Sequence, residues 1–304
     1  MDLSVVIINY KSKDFLKKCL KSLKESEEEL KKRKYTYEVI VVENGSGDNL
    51  KPLKKQKGLA KFKLIESKKN LGFSKGNNLG IKESVGRYVL LLNPDTVLEP
   101  NTLAGMIKFM DENPDVGLST CYVELVKTGE IDWASHRGFP TPWASFTYYS
   151  KLSKIFPKSK LFGQYHQTWK DLKTIHEIDS PVGAFYMLRR RVLDQVGLLD
   201  EDYFMYAEDL DLAYRIKKAG YKVMYNPTYK IYHYKGISSG IKNATAKVSK
   251  NTLESRKKIT TYFYDTMTLF YKKHYAKKYP FILNWLVYLG IYLKKQISLK
   301  TLKV

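Results

Sequence analysis

Asp95 follows an apolar run and has the chemistry of a metal ligand. The five residues Tyr88–Leu92 are all apolar, which is the pattern of a strand buried on both faces. Pro94 cannot continue a central strand, so the strand must end before it and leave Asp95 just beyond. Open α/β sheets bind ligands at that edge, where a carboxylate can hold a divalent cation and, through it, a diphosphate. On sequence alone, helix capping is favoured over metal binding by about two to one.

A second group of acids begins the predicted helix Glu208–Ala219. Acids occupy its first turn and lysines its last, as is typical of a helix. An exposed ion pair explains Asp211 and Arg215, which are four residues apart. It does not explain Asp209, which lies on the apolar side, where a carboxylate is costly without a partner or a task. Because the helix dipole favours its ionised form, we predict Asp209 as a general base.

Three other polar features could complete such a site. Glu43 lies in a loop with Gly45, where a carboxylate can bind a base or ribose; a plain turn explains it equally well. The segment Asn70–Gly80 offers backbone amides, although it lacks the spacing of a P-loop or a dinucleotide fingerprint. His233 follows a strand-like run and could be a nitrogen ligand, against odds of about three to one for a structural histidine.

Alternating strands and helices position these residues. A helix begins near Lys13, with Ser12 as its N-cap, and another near the end of the Asn70–Gly80 segment. Apolar runs predict strands over residues 4–9, 37–42, 62–65 and 88–92. This alternation predicts an α/β fold with a mostly parallel sheet and right-handed crossovers, in which residues 1–100 form a nucleotide-binding half.

The remainder of the chain is less regular. A helix is predicted from Pro100 to about Asn113, and another ends near Gly197. Residues 133–178 are aromatic without clear periodicity, which indicates an insertion or flap over the site. The tail from about residue 247 is predicted to be helical, basic and aromatic. Further strands are predicted over residues 116–126, 180–187, 223–225 and 230–233.

The formal charge is +22 over 304 residues. An excess of positive charge of this size favours binding to a nucleic acid, an anionic membrane surface or a phosphorylated substrate. The scattered lysines lack a nucleic-acid-binding signature, so we expect no nucleic acid partner. Cys19 and Cys121 are too few and too far apart for a disulfide framework, which indicates a reducing compartment.

We expect a cytoplasmic protein, either free or peripheral at the inner face of the membrane. No secretory leader precedes the first strand. The longest apolar run, residues 281–293, is interrupted by Asn284 and is shorter than the roughly 20 residues that a spanning helix needs.

In their order, these motifs resemble the inverting family-2 glycosyltransferases of the GT-A fold, and most closely the rhamnosyltransferase-like branch. Each motif is weak alone, but the ordered set is specific and extends over about residues 2–240. The motifs are Ser4–Tyr10, Val41–Ser46, Asn70–Phe73, Gly76–Asn78, Leu92–Thr96, Gly183–Ala184, Tyr206–Arg215 and His233.

The resemblance implies a role for each site residue. Asp209 would deprotonate the acceptor hydroxyl, and Asp95 would hold Mn²⁺ or Mg²⁺ with His233 as a further ligand. Glu43 stands where the family usually has aspartate, and Asn93 replaces the first acid of its Asp-x-Asp motif. The residues implied to bind the nucleotide sugar are Asn9, Glu43, Asn44, Asn70, Gly72, Asn77, Asn93 and Asp95. Those implied to border the acceptor are Gly183, Ala184 and Glu208.

The implied reaction is an in-line displacement that inverts configuration, with dTDP-rhamnose as the favoured donor and a UDP-sugar as the second choice. The acceptor would be a lipid-linked or growing cell-surface polysaccharide. Residues 1–100 would bind the nucleotide sugar, and residues 101–240 would bind the acceptor and carry catalysis. Residues 241–304 would form a basic helical extension that contacts an anionic membrane, packs on the domain or makes a homodimer.

Two other functions are conceivable. A sugar nucleotidyltransferase would need a glycine-rich basic loop near the amino terminus, which residues 9–12 do not supply. A charge-driven nucleic-acid-binding protein would bind DNA in a salt-sensitive way, and the substitution Asp209→Asn would have no effect. The transferase hypothesis requires Asp95 and Asp209 to face one cleft. Opposite locations, or an internal ion pair that locks Asp209, would exclude it.

Overall fold

The computed structural model describes residues 1–55, 61–235 and 252–302. The nine strands of these residues belong to a single sheet. Their bounds are β1 Leu3–Asn9, β2 Tyr37–Asn44, β3 Phe62–Ser67, β4 Tyr88–Leu92, β5 Thr96–Leu98, β6 Val116–Leu125, β7 His176–Glu177, β8 Phe185–Arg189 and β9 Lys222–His233.

Ten α-helices accompany the sheet in the described part of the chain. They are α1 Lys13–Glu25, α2 Glu27–Lys32, α3 Gly72–Lys82, α4 Thr102–Glu112, α5 Pro142–Tyr149, α6 Leu152–Ile155, α7 Arg190–Val196, α8 Glu208–Lys218, α9 Leu253–His274 and α10 Phe281–Lys300.

The sheet has the strand order β3-β2-β1-β4-β8-β6-β9-β5, and β7 pairs with β9. Strands β3, β2, β1 and β4 are parallel, as their apolar runs predict. Strand β8 is antiparallel to both of its neighbours, β4 and β6, so the second half of the sheet is mixed. The fold is therefore α/β, with its parallel strands concentrated in the first hundred residues.

Helices cover both faces of the sheet and bury its apolar side chains. Helices α1 and α4 pack on one face, against the odd-numbered side chains of β1 and β2. Helices α7 and α8 pack on the other face, together with the end of α3. Strands β1, β2 and β4 are buried along their whole length, and most of their side chains are apolar on both sides.

Several elements differ in detail from the sequence prediction. Ser12 occupies the N-cap position of α1, but its hydroxyl donates to Asn9 Oδ1 rather than accepting from a helix amide. The two strands predicted over residues 223–225 and 230–233 are one strand, β9, with a register shift between them opposite Cys121 and Tyr122. Residues 133–178 contain only short elements, as expected for an insertion.

The tail is helical, as predicted, and it packs on the domain through α9. Tyr271 and Tyr275, at the end of α9, lie in one apolar cluster with Tyr203 and Leu210. The first predicted residues of the tail, 247–251, lie outside the described residues. Within the described ranges, no helix combines the length and the apolar character needed to cross a membrane.

Candidate active site

A cleft of about 890 Å³ opens where β1, β2 and β4 end. Strand ends form its floor, the insertion after β6 covers one side, and α9 covers another. Asp95 lies at the end of the strands and Asp209 at the start of α8, and both line this cleft. The first requirement of the transferase hypothesis, that the two acids face one cleft, is met.

Most of the predicted site residues meet in this cleft. Four do not line it in the described part of the chain: Asn9, Glu43, Asn77 and Ala184. The predicted residues that line it are Asn44, Asn70, Gly72, Asn93, Asp95, Gly183, Glu208, Asp209 and His233.

The four other residues hold the loops that border the cleft. Asn9 donates to Asp48 Oδ2 over 2.8 Å. Glu43 accepts hydrogen bonds from the backbone amides of its own loop, at 3.0 Å from Gly45 N and 2.7 Å from Ser46 N. Asn77 donates to a carbonyl oxygen within α3, and the carbonyl oxygen of Ala184 accepts from Asn93 N over 3.2 Å. Their side chains or backbones therefore shape the loops of the cleft.

The loop at Asn70 is fixed by side-chain amides. Asn44 Nδ2 donates to Asn70 Oδ1 over 3.2 Å and to the carbonyl oxygen of Gly72 over 3.0 Å. Gly72 has a φ of +82°, and a Cβ built there would lie 2.4 Å from the carbonyl oxygen of Phe204. Phe73 N donates to that same oxygen over 2.6 Å. This loop is thus bound to the segment that leads into α8.

Asp95 and His233 come together because β5 pairs with β9, with Thr96 opposite His233. His233 Nε2 lies 3.4 Å from Asp95 Oδ1, and its Nδ1 lies 3.2 Å from Asp132 Oδ2. Lys235 also contacts Asp132. Burial lowers the pKa of His233, but Asp95 and Asp132 raise it more strongly, so its pKa is raised to about 9. The two carboxylates therefore favour the positively charged form of the His233 imidazole.

Asp95 and His233 are of the residue types, and at a separation, that could hold a divalent cation. Two ligands of one ion lie about 3 Å apart when each bond is about 2.1 Å, close to the separation of Asp95 Oδ1 and His233 Nε2. Asp132 contacts the other imidazole nitrogen, as a carboxylate often does next to a metal-bound histidine. Over residues 1–55, 61–235 and 252–302, no group of three or more Asp, Glu, His or Cys could hold a metal ion alone. The remaining ligands would have to come from substrate and water.

Asp132 is a residue of the site that the sequence did not predict. It is buried, accepts a hydrogen bond from Ala134 N over 3.1 Å and lines the cleft. No motif marks it, because it lies at the start of the irregular insertion. Its one signal is an isolated acid between Ile131 and Trp133.

The backbone before α8 is unusual. Tyr206 has a φ of +75° and Ala207 a φ of +66°, so two consecutive residues with side chains adopt the left-handed conformation. Each costs about 1–2 kcal/mol relative to the right-handed form. This turn brings Glu208 and Asp209 to the wall of the cleft, where both are largely buried.

Asp209 is in an internal ion pair. Arg137 Nη2 donates to Asp209 Oδ2 over 2.5 Å, and Leu210 N donates to Oδ1 over 2.8 Å. By the criterion above, such a pair excludes a transferase, and the family assignment below shows that this criterion is wrong. The physical error was to treat an ion pair as permanent, since an arginine at the wall of a cleft can exchange partners with a bound anion. Like Asp132, Arg137 was not predicted as a site residue.

Glu208 differs from Asp209 in having a free carboxylate oxygen. Its Oε2 is buried with no hydrogen-bond partner. Burial first, and the charge of Asp209 second, raise the pKa of Glu208 to about 8. Near neutral pH this group therefore holds a proton, with which it could donate a hydrogen bond to a ligand in the cleft.

Asp95 and Asp209 line one cleft at the carboxyl ends of parallel strands, which is an arrangement that glycosyltransferases of the GT-A type use. The chain matches the family described as Glycosyl transferase family 2 over residues 4–197. It belongs to that family, and it is an enzyme that transfers glycosyl groups.

Similar proteins from bacteria carry rhamnosyltransferase names. The chain is 27% identical to the rhamnosyltransferase WbbL of Escherichia coli over 240 residues, which cover 76% of this chain and 82% of that one. It is 26% identical over 255 residues to the N-acetylglucosaminyl-diphospho-decaprenol L-rhamnosyltransferase of Mycobacterium tuberculosis, covering 78% of each. The chain is therefore a rhamnosyltransferase-like member of family 2.

Solved structures share the fold at lower identity. Residues 1–349 of S. aureus TarS align with a TM-score of 0.53 and 17% identity, covering 97% of this chain and 81% of that one. GalNAc-T7 with UDP, GalNAc and Mn²⁺ aligns with a TM-score of 0.52 and 16% identity, covering 89% of this chain and 50% of that one. At these identities the comparison establishes the GT-A fold.

Proposed function

We propose that this enzyme is a metal-dependent inverting glycosyltransferase that moves a sugar from a nucleotide diphosphate to an acceptor hydroxyl. The observation that carries the proposal is that Asp95 with His233, and Glu208 with Asp209, line a single cleft. We favour rhamnose as the sugar and dTDP as the carrier, because two of the similar proteins are named rhamnosyltransferases. A UDP-sugar is the second choice, since a structure of TarS with the same fold holds UDP.

The donor would lie over the strand ends. Asn44 and Asn70 fix the loop whose backbone would border the nucleoside, and Glu43 shapes the neighbouring turn. Asp95 and His233 would hold a Mn²⁺ or Mg²⁺ ion against the diphosphate. When bound, that ion would stabilise the negative charge that grows on the leaving diphosphate. The Mn²⁺ in the GalNAc-T7 structure supports this assignment.

The acceptor would lie between the donor and the start of α8. Asp209 would remove the proton from the acceptor hydroxyl as its oxygen forms the new bond to the anomeric carbon. The bond from that carbon to the diphosphate would break, and the diphosphate would leave with the electron pair. Because the two bonds lie in line, the configuration inverts. Gly183 lines the cleft with no side chain to exclude the sugar, and the protonated carboxyl of Glu208 would donate a hydrogen bond to an acceptor oxygen.

Arg137 must release Asp209 before this carboxylate can accept a proton. Arg137 Nε is buried without a hydrogen-bond partner, so its guanidinium has unused donor capacity. An anionic group on the acceptor side of the cleft could take over the guanidinium and free the base. The diphospho-decaprenol in the name of the mycobacterial relative is such a group. We therefore propose a lipid-linked acceptor and a cytoplasmic enzyme that works at the inner face of a membrane.

Nucleotide binding is the direct test. Thermal unfolding would be followed with dTDP, UDP, GDP and ADP, each with and without Mn²⁺ or Mg²⁺. We expect one or two of these nucleotides to raise the melting temperature, and to raise it more with metal than without, and we expect Asp95→Asn to remove the additional rise that the metal gives. No stabilisation by any nucleotide in the presence of metal would overturn the proposal. The sugar is then identified by incubation with the matching nucleotide sugars and a diphosphate-linked acceptor.

A further inference from the structure

Exposed apolar side chains are concentrated in two segments of the described chain. Of seventeen large apolar residues that are exposed, six lie in residues 142–161 and eight in α10. Ile155 is 64% exposed and Phe281 is 80% exposed. Such a concentration is rare on a surface that faces only water. The six are Trp143, Phe146, Tyr149, Ile155, Phe156 and Leu161; the eight are Phe281, Ile282, Trp285, Leu286, Leu289, Tyr292, Leu293 and Ile297.

The two segments adjoin and form one surface, which we call the apolar–basic face. Lys294 Nζ of α10 lies 4.8 Å from the centroid of the Tyr149 ring, at the end of α5. The inner side of α10 is attached to α9, where Tyr271 Oη donates to Asn284 Oδ1 over 2.6 Å. The apolar residues of α10 are consequently on its outer side, and the contact of Lys294 with Tyr149 brings that helix next to the end of α5.

The charge of these segments has one sign. Residues 133–170 and 266–304 contain no aspartate or glutamate. Between the apolar residues of the first segment stand four exposed lysines, Lys151, Lys154, Lys158 and Lys160. Lysines that alternate with aromatic and aliphatic residues are typical of surfaces that lie in the headgroup region of a bilayer.

We propose that the apolar–basic face docks on an anionic lipid bilayer and lies in its interface. A second copy of the chain is a poorer occupant, because a self-contact would bury lysines against lysines with no carboxylate to pair them. Nucleic acid is poorer too, since fourteen large apolar side chains would meet phosphates. The outer residues of α10 enter the headgroup region side by side, so the helix lies in the plane of the membrane.

The same surface adjoins the acceptor side of the cleft. Helix α5 has two sides: Tyr148 and Ser145 line the cleft, whereas Phe146 is exposed on the apolar–basic face. A sugar carried on a lipid could reach the cleft from the bilayer without leaving it. This step rests on the proposed function, whereas the docking itself does not.

Flotation with vesicles tests the docking. The full chain is mixed with vesicles of phosphatidylcholine, with or without phosphatidylglycerol. We expect strong binding only with the anionic lipid. Phe146→Ser with Phe156→Ser, and Trp285→Ser with Leu289→Ser, should each weaken binding by about tenfold or more. Lys154→Gln with Lys158→Gln should weaken it by about fivefold for each lysine.

Matched controls separate this face from general effects. Val85→Ser removes an apolar residue that is 68% exposed and outside the face, and Lys61→Gln removes an exposed lysine outside it. Both should bind like the wild type. The proposal is overturned if the wild type does not float, if the face variants float like the controls, or if the face variants convert a dimer into a monomer. Nucleotide-induced stabilisation, measured on the same variants, should be unchanged. If the wild type floats but no nucleotide stabilises it, the docking stands and the proposed function fails.

Discussion

Arg137 and Asp209 are held together at the wall of the cleft, with 2.5 Å between Nη2 of the first and Oδ2 of the second. Arg137 belongs to the insertion after β6, and Asp209 to the first turn of α8. The position of the insertion and the availability of the proposed base are thus linked through one contact. An acceptor that binds the guanidinium of Arg137 would release Asp209, which is the carboxylate proposed to deprotonate that acceptor.

Asp209→Asn should abolish most of the turnover and leave nucleotide binding intact. An amide cannot accept the hydroxyl proton, so we expect kcat to fall by about 10²–10⁴-fold. The affinity for the nucleotide diphosphate, measured by calorimetry, should stay within about twofold, because the proposed donor contacts are made by other residues than Asp209. Equal losses in nucleotide affinity and in kcat would contradict a role confined to the base.

Asp211→Asn is the matched control on the same helix. Asp211 is also buried and paired, with Arg215 at 2.8 Å and His274 at 2.7 Å, but it does not line the cleft. We expect this variant to lower the free energy of unfolding by about 1–3 kcal/mol while the folded protein keeps its kcat. A kcat as low as that of Asp209→Asn would mean that both variants act by disturbing α8.

Glu208 should make the protein less stable as the pH rises. Its pKa is raised from 4.5 to about 8 in the folded state, so between these values the unfolded chain has lost a proton that the folded chain keeps. The contribution of Glu208 to the free energy of unfolding therefore falls with increasing pH over this window, by up to about 1.4 kcal/mol per pH unit, and levels off above it. Urea unfolding at several pH values measures the slope.

Glu208→Gln removes this titration and provides the comparison. The variant should match the wild type near pH 5 and be the more stable of the two near pH 8, because the amide stays neutral. Parallel stability curves for the two proteins would show that Glu208 is ionised in the folded state, and its proposed role as a hydrogen-bond donor to the acceptor would then be wrong.

The sequence alone was enough to predict the two cleft acids that lie at the ends of regular elements, Asp95 after a strand and Asp209 at the start of a helix. Asp95 could be located because Pro94 must end a strand that is apolar on both faces. Asp209 could be singled out because helical geometry directs it toward the apolar side, but Asp211, which the same argument assigned to an exposed ion pair, is buried as well. Both inferences use only local rules, and both residues do line the cleft.

The sequence was insufficient where a tertiary contact selects the partner. Asp132 and Arg137 lie in an aperiodic region, and they reach the site only through the packing of that region on β9 and α8. Glu43 is of the expected type and in the expected loop, but its oxygens are taken by the amides of Gly45 and Ser46. The choice between a ligand and a neighbouring amide depends on loop conformation, which residue types alone do not determine.

Metal should strengthen nucleotide binding through Asp95 and His233. We expect the affinity for the nucleotide diphosphate to rise by about tenfold or more with Mn²⁺, and we expect Asp95→Asn or His233→Gln to remove this gain. Calorimetry with Mn²⁺ and with a chelator gives both values for each variant. The affinity without metal is the internal control and should be unchanged. A full Mn²⁺ effect in both variants would locate the metal elsewhere.

Gly72→Ala should disturb the cleft beyond its cost in backbone strain. The left-handed φ of +82° alone costs alanine about 1–2 kcal/mol. In addition, the new Cβ would lie 2.4 Å from the carbonyl oxygen of Phe204. The loop must move away from that oxygen and lose the hydrogen bond from Phe73 N. We expect a total loss of about 2–4 kcal/mol in the free energy of unfolding, together with weaker nucleotide binding.

Gly220→Ala isolates the backbone contribution. Gly220 has a φ of +88° and follows the end of α8, and a Cβ added there would have no atom of the described residues within 4 Å. Alanine there should cost only about 1 kcal/mol and leave nucleotide binding unchanged. The difference between the two variants measures the steric contact of the Asn70 loop with the segment before α8. If both variants lose the same stability and both keep their nucleotide affinity, that contact does not organise the donor site.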